Sequence, residues 1–198
     1  SGLTFEAALK EAQANGYAEK DPTADVEGHD ACRKICILAA IAFGRHVYPR
    51  QVPTEGISGV TLADVAYAES CNRKIKLLGR AVKEPDGRVC AYVAPHLVES
   101  EAPLAGVEDV FNAIMVKGDA IGDVMFYGRG AGKLPTASAV VADVMDAARH
   151  IQSRKRMEWG PGGEDVTVSP EQFPFRWYVR ASGSAGGVRT AFPGAALL

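Results

Sequence analysis

Between Asp21 and Lys34 the chain carries four carboxylates, Asp21, Asp25, Glu27 and Asp30. The stretch closes on Arg33-Lys34 and runs directly into apolar sequence, Ile35 to Phe43. Asp30 and Lys34 are one helical turn apart, so on a helix they lie above one another. An ammonium held beside a carboxylate at the mouth of an apolar helix is a tunable proton donor, the kind of group a carbonyl reduction requires. The same spacing also describes an ordinary surface ion pair, worth roughly a few tenths of a kcal/mol. Two features favour chemistry. Lys34 abuts apolar residues, so its stem is expected to be buried, and the carboxylates are denser than a helix cap needs.

The elements that position these groups follow from local rules. Asp21-Pro22 marks a turn, because proline fixes φ and biases the preceding residue away from the helix. Thr23 or Asp25 is then expected to cap a helix. Ile35, Leu38, Ala39 and Ala42 repeat at helical spacing and predict its buried face.

Composition narrows the classes. The chain of 198 residues is 47% apolar and 23% charged with a net charge of −2, as in ordinary globular proteins, and allows one or two domains with a real core. It has no basic block, which argues against nucleic acid or an anionic membrane as partner. No apolar run approaches transmembrane length, and the N-terminus lacks a signal-peptide shape. Cys32 and Cys36 share a helix face, but no second Cys or His pair has zinc-ribbon spacing. We therefore expect Cys32, Cys36, Cys71 and Cys90 to be reduced thiols, no metal site, and a cytoplasmic protein.

In chain order, Thr4 caps a first helix with Phe5, Ala8, Leu9 and Ala12 as its apolar stripe, ended by Asn15-Gly16. The second helix ends near Phe43-Gly44. Thr61 caps a third, with Leu62, Val65, Ala66 and Glu69 running toward Cys71 and one face expected to be buried. From Lys74 the period changes to that of a strand. Pro85-Asp86-Gly87 turns the chain, and Val89, Ala91 and Val93 return as its partner. An irregular stretch is expected from Leu97 to Gly106. Val110 to Val116 and Ile121 to Tyr127 form a second strand pair. Four strands joined by turns predict an α+β fold, a mainly antiparallel or mixed sheet with helices packed on one face. A glycine loop, Gly128 to Gly132, precedes a helix from Thr136 to about His150. Glycines allow close backbone approach to a ligand, and a helix N-terminus favours anionic or polar groups. Arg149 to Arg156 and Gly160-Pro161-Gly162-Gly163 read as a linker, and Phe175 to Val179 as one strand-like run.

The run Asp-Pro-Thr-x-Asp-Val-x-Gly-x-Asp-Ala-x-Arg-Lys at 21–34, with Gly16-Tyr17-Ala18-Glu19 upstream, resembles the signature of homoserine dehydrogenases. Gly128-Arg129-Gly130-Ala131-Gly132 followed by Pro135-Thr136-Ala137-Ser138-Ala139 resembles the cofactor-side loop and helix of the same family. The resemblance covers most of residues 3–150. It implies an NAD(P)-dependent oxidoreductase interconverting L-homoserine and L-aspartate 4-semialdehyde, on the route to threonine, methionine and isoleucine, working as a homodimer. It implies Lys34 as the catalytic acid/base and Asp30 as the group that tunes it or binds substrate. It further implies Glu19, Asp25 and Tyr17 as substrate-binding, and Gly132, Gly130 and Thr136 beside the NADP or NAD. No Gly-x-Gly-x-x-Gly unit follows a strand here, so the nucleotide-binding half is expected to lie outside the chain. The chain then reads as a fragment, inactive by itself: residues 1–152 as substrate-binding, catalytic and dimerisation domain, 153–172 as linker, and 173–198 as the start of a small ACT-like module. The alternatives are a non-catalytic dimerisation and amino-acid-binding module, or a reductase of the same architecture for another amino-acid aldehyde.

The site so implied demands a particular geometry. Asp25 lies five residues before Asp30 and would point about 140° away on one continuous helix. It joins Asp30 and Lys34 only if it sits at or before the cap. Glu19 must fold back over the helix start, with its head group near that of Lys34 and the Gly128–Gly132 loop as the opposite wall.

Overall fold

The structure is a computed structural model that describes residues 3–16, 18–153 and 160–195. Helix α1 (Phe5–Ala14) is capped by Thr4, whose hydroxyl accepts the Ala7 N–H at 3.3 Å. It ends at Gly16, which takes the left-handed φ of +73°.

What the sequence presents as one long helix is two. A short α2 (Thr23–Val26) is followed by α3 (His29–Phe43). Gly28, at φ +75°, breaks them, a conformation that L side chains rarely adopt. A Cβ there would also come within 3.2 Å of Thr54 and of Val93. Neither Thr23 nor Asp25 caps α3. Instead Asp21 starts α2, its carboxylate accepting the Thr23 N–H at 3.1 Å and hydroxyl at 2.6 Å. The buried face of α3 is Cys32, Ile35, Cys36, Ala39 and Ala40, while Ala42 is exposed. The face is thus rotated toward the cysteines from the expected one.

Helix α4 (Leu62–Ser70) has the predicted Thr61 cap, with Asp64 closing the reciprocal box. Its buried residues are Asp64 and Ala68, whereas Leu62 and Val65 are exposed. The antiparallel hairpin of β1 (Arg73–Lys83) and β2 (Val89–Glu99) packs on α3 and α4. Strand β2 runs through Pro95 to Glu99, so the irregular stretch begins later than expected. Both strands of a two-stranded ladder are edges, and an edge strand tolerates a proline whose absent N–H would have pointed outward. Gly79 lies against α3, with an added Cβ 3.1 Å from Ile35.

Strands β3 (Phe111–Gly118) and β4 (Gly122–Arg129) form a second antiparallel ladder. The four strands therefore make two separate two-stranded sheets rather than one, in an α+β architecture. Helix α5 (Lys133–Arg149) starts before Thr136, with Pro135 in its first turn, where a missing N–H has no partner to lose. It buries no residue.

The core joins the α3 face to Val47, Val52, Val89, Ala91, Val93 and Val166. Val166 comes from the glycine-rich stretch read as linker. The described part of that stretch is well bonded. Gly160 bridges to Arg45, Gln51 Nε2 donates to the Gly163 carbonyl at 2.8 Å, and Val168 N–H donates to the Val89 carbonyl at 3.1 Å. Phe175 to Val179 pairs with no strand. It is held by side chains, and a final short helix α6 (Ala185–Ala191) follows.

Candidate functional site

Asp30 sits in the first turn of α3 and Lys34 one turn on. Their head groups form an ion pair at 2.7 Å. The expected burial of the Lys34 stem is not what the chain shows: its side chain is 58% exposed and that of Asp30 41%. The apolar residues after Lys34 turn toward the core at Ile35 and Cys36, about 100° and 200° further round the helix, so Lys34 itself stays outside. Ile37 and Ile41 continue its exposed face, at 56% and 54%.

Asp25 lies in α2, before the Gly28 break, so the condition for it to escape the helical phase of Asp30 is met. The break is fixed from the other side. Ile57 N–H donates to the Val26 carbonyl at 2.8 Å, and Gly56 lies so close that a Cβ would sit 2.3 Å from that oxygen. Glu19 is exposed, and its backbone carbonyl accepts from Gln13 Nε2 at 2.9 Å, which ties the loop back to α1. Among the described residues neither Glu19 nor Asp25 pairs with Lys34, and Tyr17 lies outside the described residues. The structure thus brings Asp30 and Lys34 into contact, and places Glu19 and Asp25 on the exposed loop and short helix that lead to them.

Gly130 and Gly132 flank the turn from β4 into α5. Gly130 is pressed on Asn112, whose side-chain nitrogen an added Cβ would meet at 1.3 Å. Gly132 is the N-cap of α5 at φ +120°, with no side-chain cap. The first N–H groups of a long helix are therefore left to a ligand or water, and Thr136 stands exposed beside them. The Gly130 N–H already donates to the Val110 carbonyl at 3.0 Å, so the donors open to a polar or anionic group are those at the start of α5. The loop's neighbour is an open groove of about 320 Å³, lined by Ile114, Phe126, Tyr127 and Gly128. A second hollow, of about 300 Å³, lies at the β1–β2 turn among Glu84, Arg88, Val168 and Phe173.

The cysteines are all free thiols: Cys32, Cys36 and Cys90 buried, Cys71 partly so. Burial, with Cys32 beside it, pushes the Cys36 thiol up to about 12. No cluster among the described residues could hold a metal ion, and no helix among them is long and apolar enough to cross a membrane.

One group the sequence reading passed over is Asp64, the buried charge among the described residues, at 5% exposure. Burial raises its pKa, but hydrogen bonds from Tyr178, from Thr61 and the Arg180 charge outweigh that and hold it at about 2. The Thr-x-x-Asp capping box was a visible signal for its position, though not for its distant partners.

Comparison with known proteins bears on the chain as a whole. The family profile for homoserine dehydrogenase matches residues 1–145. A homoserine dehydrogenase of Pseudomonas aeruginosa is 51% identical over 152 residues, 77% of this chain and 35% of that protein. The chain thus spans about a third of the length of the curated relatives it matches. A crystal structure of a homoserine dehydrogenase from Thiobacillus denitrificans superposes with a TM-score of 0.73 at 44% identity, covering 85% of this chain and 39% of that one. A hyperthermophilic archaeal homoserine dehydrogenase in complex with NADPH matches at 30% identity and a TM-score of 0.60, over 75% of this chain and 41% of its own. With a family profile along most of its length and relatives near half identical, the chain belongs to the homoserine dehydrogenase family.

Proposed function

We propose that the protein to which this chain belongs interconverts L-homoserine and L-aspartate 4-semialdehyde as an NAD(P)-dependent oxidoreductase in the cytoplasm. The observation that carries this is the intact Asp-Pro-Thr to Arg-Lys signature within a family match, with Asp30 and Lys34 in contact at 2.7 Å. NADP or NAD, held mainly outside this chain, would supply the hydride chemistry. Within the chain, the backbone at Gly132 and the hydroxyl of Thr136 would hold one edge of it, with Gly130, whose N–H is donated to the Val110 carbonyl, shaping the loop beside them.

The remaining work is that of side chains. In the reducing direction Lys34 Nζ gives its proton to the oxygen developing negative charge on the substrate's C4. In the oxidising direction it takes the hydroxyl proton. Asp30 holds the ammonium in place through their ion pair. Glu19 and Asp25, with Tyr17, bind the substrate's amino group by opposite charge. Lys34 is exposed here, so this role requires cover from the part of the family's length that the chain does not span. The apolar surfaces of α5 and of β3–β4 are read as contacts with that part and with a second copy of the chain in a homodimer. Residues 173–198 are read as the start of a separate C-terminal module.

The test is Lys34→Ala in the longer protein, assayed by homoserine-dependent reduction of NAD or NADP. Loss of a general acid costs about two to four decades in rate, with the melting profile unchanged. Turnover within a fewfold of the parent would remove Lys34 from the acid/base role. Light scattering of the chain at micromolar concentration tests the dimer, and a purely monomeric species would count against it.

A further inference from the structure

Asp64 does more than cap α4. The cap occupies one carboxylate oxygen: Oδ2 accepts the Thr61 N–H and hydroxyl, both at 2.7 Å. The other oxygen, Oδ1, accepts the Tyr178 hydroxyl at 2.7 Å. Arg180 is bonded to Oδ2 as well. Its guanidinium also donates to the Thr61 hydroxyl at 2.8 Å and the Gly59 carbonyl at 3.2 Å, so it closes over the whole helix start. The Tyr178 ring stacks on Tyr67 one turn further along α4, with centroids 4.8 Å apart and planes 13° from parallel. Upstream, Phe175 meets Tyr92 of β2 edge-on at 5.5 Å. Residues 174–180 pair with no strand, so this stretch is attached by side chains. Beyond Arg180 the described chain is hydrogen-bonded only within itself, through the Ser184 cap and the turns of α6.

We propose that Asp64, Tyr178 and Arg180 form a reversible latch that docks residues 173–180 across β2 and α4 and couples the chain beyond Arg180 to the start of α4. The chemistry allows two states. Docked, the carboxylate is enclosed and every bond it accepts is charge-assisted. Released, it loses its two distant partners, Tyr178 and Arg180, and keeps the Thr61 bonds of the cap. It then returns to water as an ordinary capping carboxylate, and no unpaired charge is left buried. A pull or a ligand acting beyond Arg180 therefore reaches Thr61 and Asp64, and through α4 reaches β1, on which that helix packs.

Trypsin reads the latch directly, because Arg180 must leave Asp64 to enter the protease. Cleavage after Arg180 is followed by mass spectrometry against cleavage after Arg189, which lies outside the latch. Asp64→Asn is expected to speed cutting at Arg180 roughly ten- to hundredfold relative to Arg189, because cutting follows the open population. Tyr178→Phe keeps the Thr61–Asp64 capping box and is expected to speed it roughly severalfold. Amide exchange of residues 61–68 should rise in Tyr178→Phe as well. Arg180 cut at the parent rate in Tyr178→Phe would overturn the latch, even if Asp64→Asn failed to fold. Faster cutting with unchanged exchange at 61–68 would overturn the coupling.

Discussion

Both hairpins are antiparallel ladders, yet β1–β2 buries Val89, Cys90, Ala91 and Val93 while β3–β4 buries none of its residues. The difference lies in what each is given to pack on. The first ladder has α3 on one face, and Phe175 of the tail meets Tyr92. The second has its own cross-strand pairs, such as Met115 opposite Met125 and the Phe111–Tyr127 stack at 4.8 Å. Helix α5 repeats the contrast with α3: Leu134 is 82% exposed, and Val140, Val141 and Val144 all face outward. Apolar patterning thus creates a face, but only a partner makes it a core. Exposed apolar residues of this density are what the proposed contacts of α5 and β3–β4 would cover.

The contrast is sharpest at the α2–α3 junction. Gly56→Ala would drive a Cβ to 2.3 Å from the Val26 carbonyl and 2.5 Å from Glu27 Cα, both backbone atoms that cannot step aside. The expected loss of stability is about 3 kcal/mol or more, measured by urea denaturation. Unchanged stability would mean that the junction is not locked. A smaller effect is expected at the centre of the packed hairpin. Val93, 1% exposed, should cost about 1–3 kcal/mol on replacement by alanine. Val140→Ser on α5 should stay within about 0.5 kcal/mol in the chain alone. If Val140→Ser proved as damaging as Val93→Ala, the division of the molecule into a packed and an unpacked region would fail.

The smallest effect is a pH window. A carboxyl held below its unfolded value adds stability above that value and loses it as pH falls through the folded one. For Asp64 those limits are 3.8 and about 2. Docking of the tail should be constant from neutrality to about pH 4 and weaken toward pH 2, followed by the ring-current shifts of Tyr67 and Tyr178 in NMR. Shifts that stay flat across that range would remove Asp64 as the anchor.

Much of the packed region is legible locally. Thr4 and Thr61 as caps, the turn at Gly87 and the period-two strands are all short-range signals, and the structure has them. Gly28 was visible as a glycine inside an acidic run, yet a helical pattern reads straight across a single residue, so one helix was expected where two exist. Apolar sequence neighbours suggest a buried stem for Lys34, although neighbours on a helix face different ways. The Asp64 cluster was not legible, because Tyr178 and Arg180 stand more than a hundred residues away and no local period encodes such a pairing. The candidate site falls between these cases: its residues are named by the signature, and their contact is set by one helical turn.

Val166 fills the same core as Ala39 and Val89, and Val168, also buried, donates its N–H to the Val89 carbonyl. In synthesis they are made only after β3, β4 and α5. At about 5–20 residues per second, the layer of α3, β1 and β2 waits for seconds before Val166 can join it. For that interval a newly made chain exposes to chaperones, or to aggregation, apolar surface at Val89 and its neighbours that the finished molecule buries.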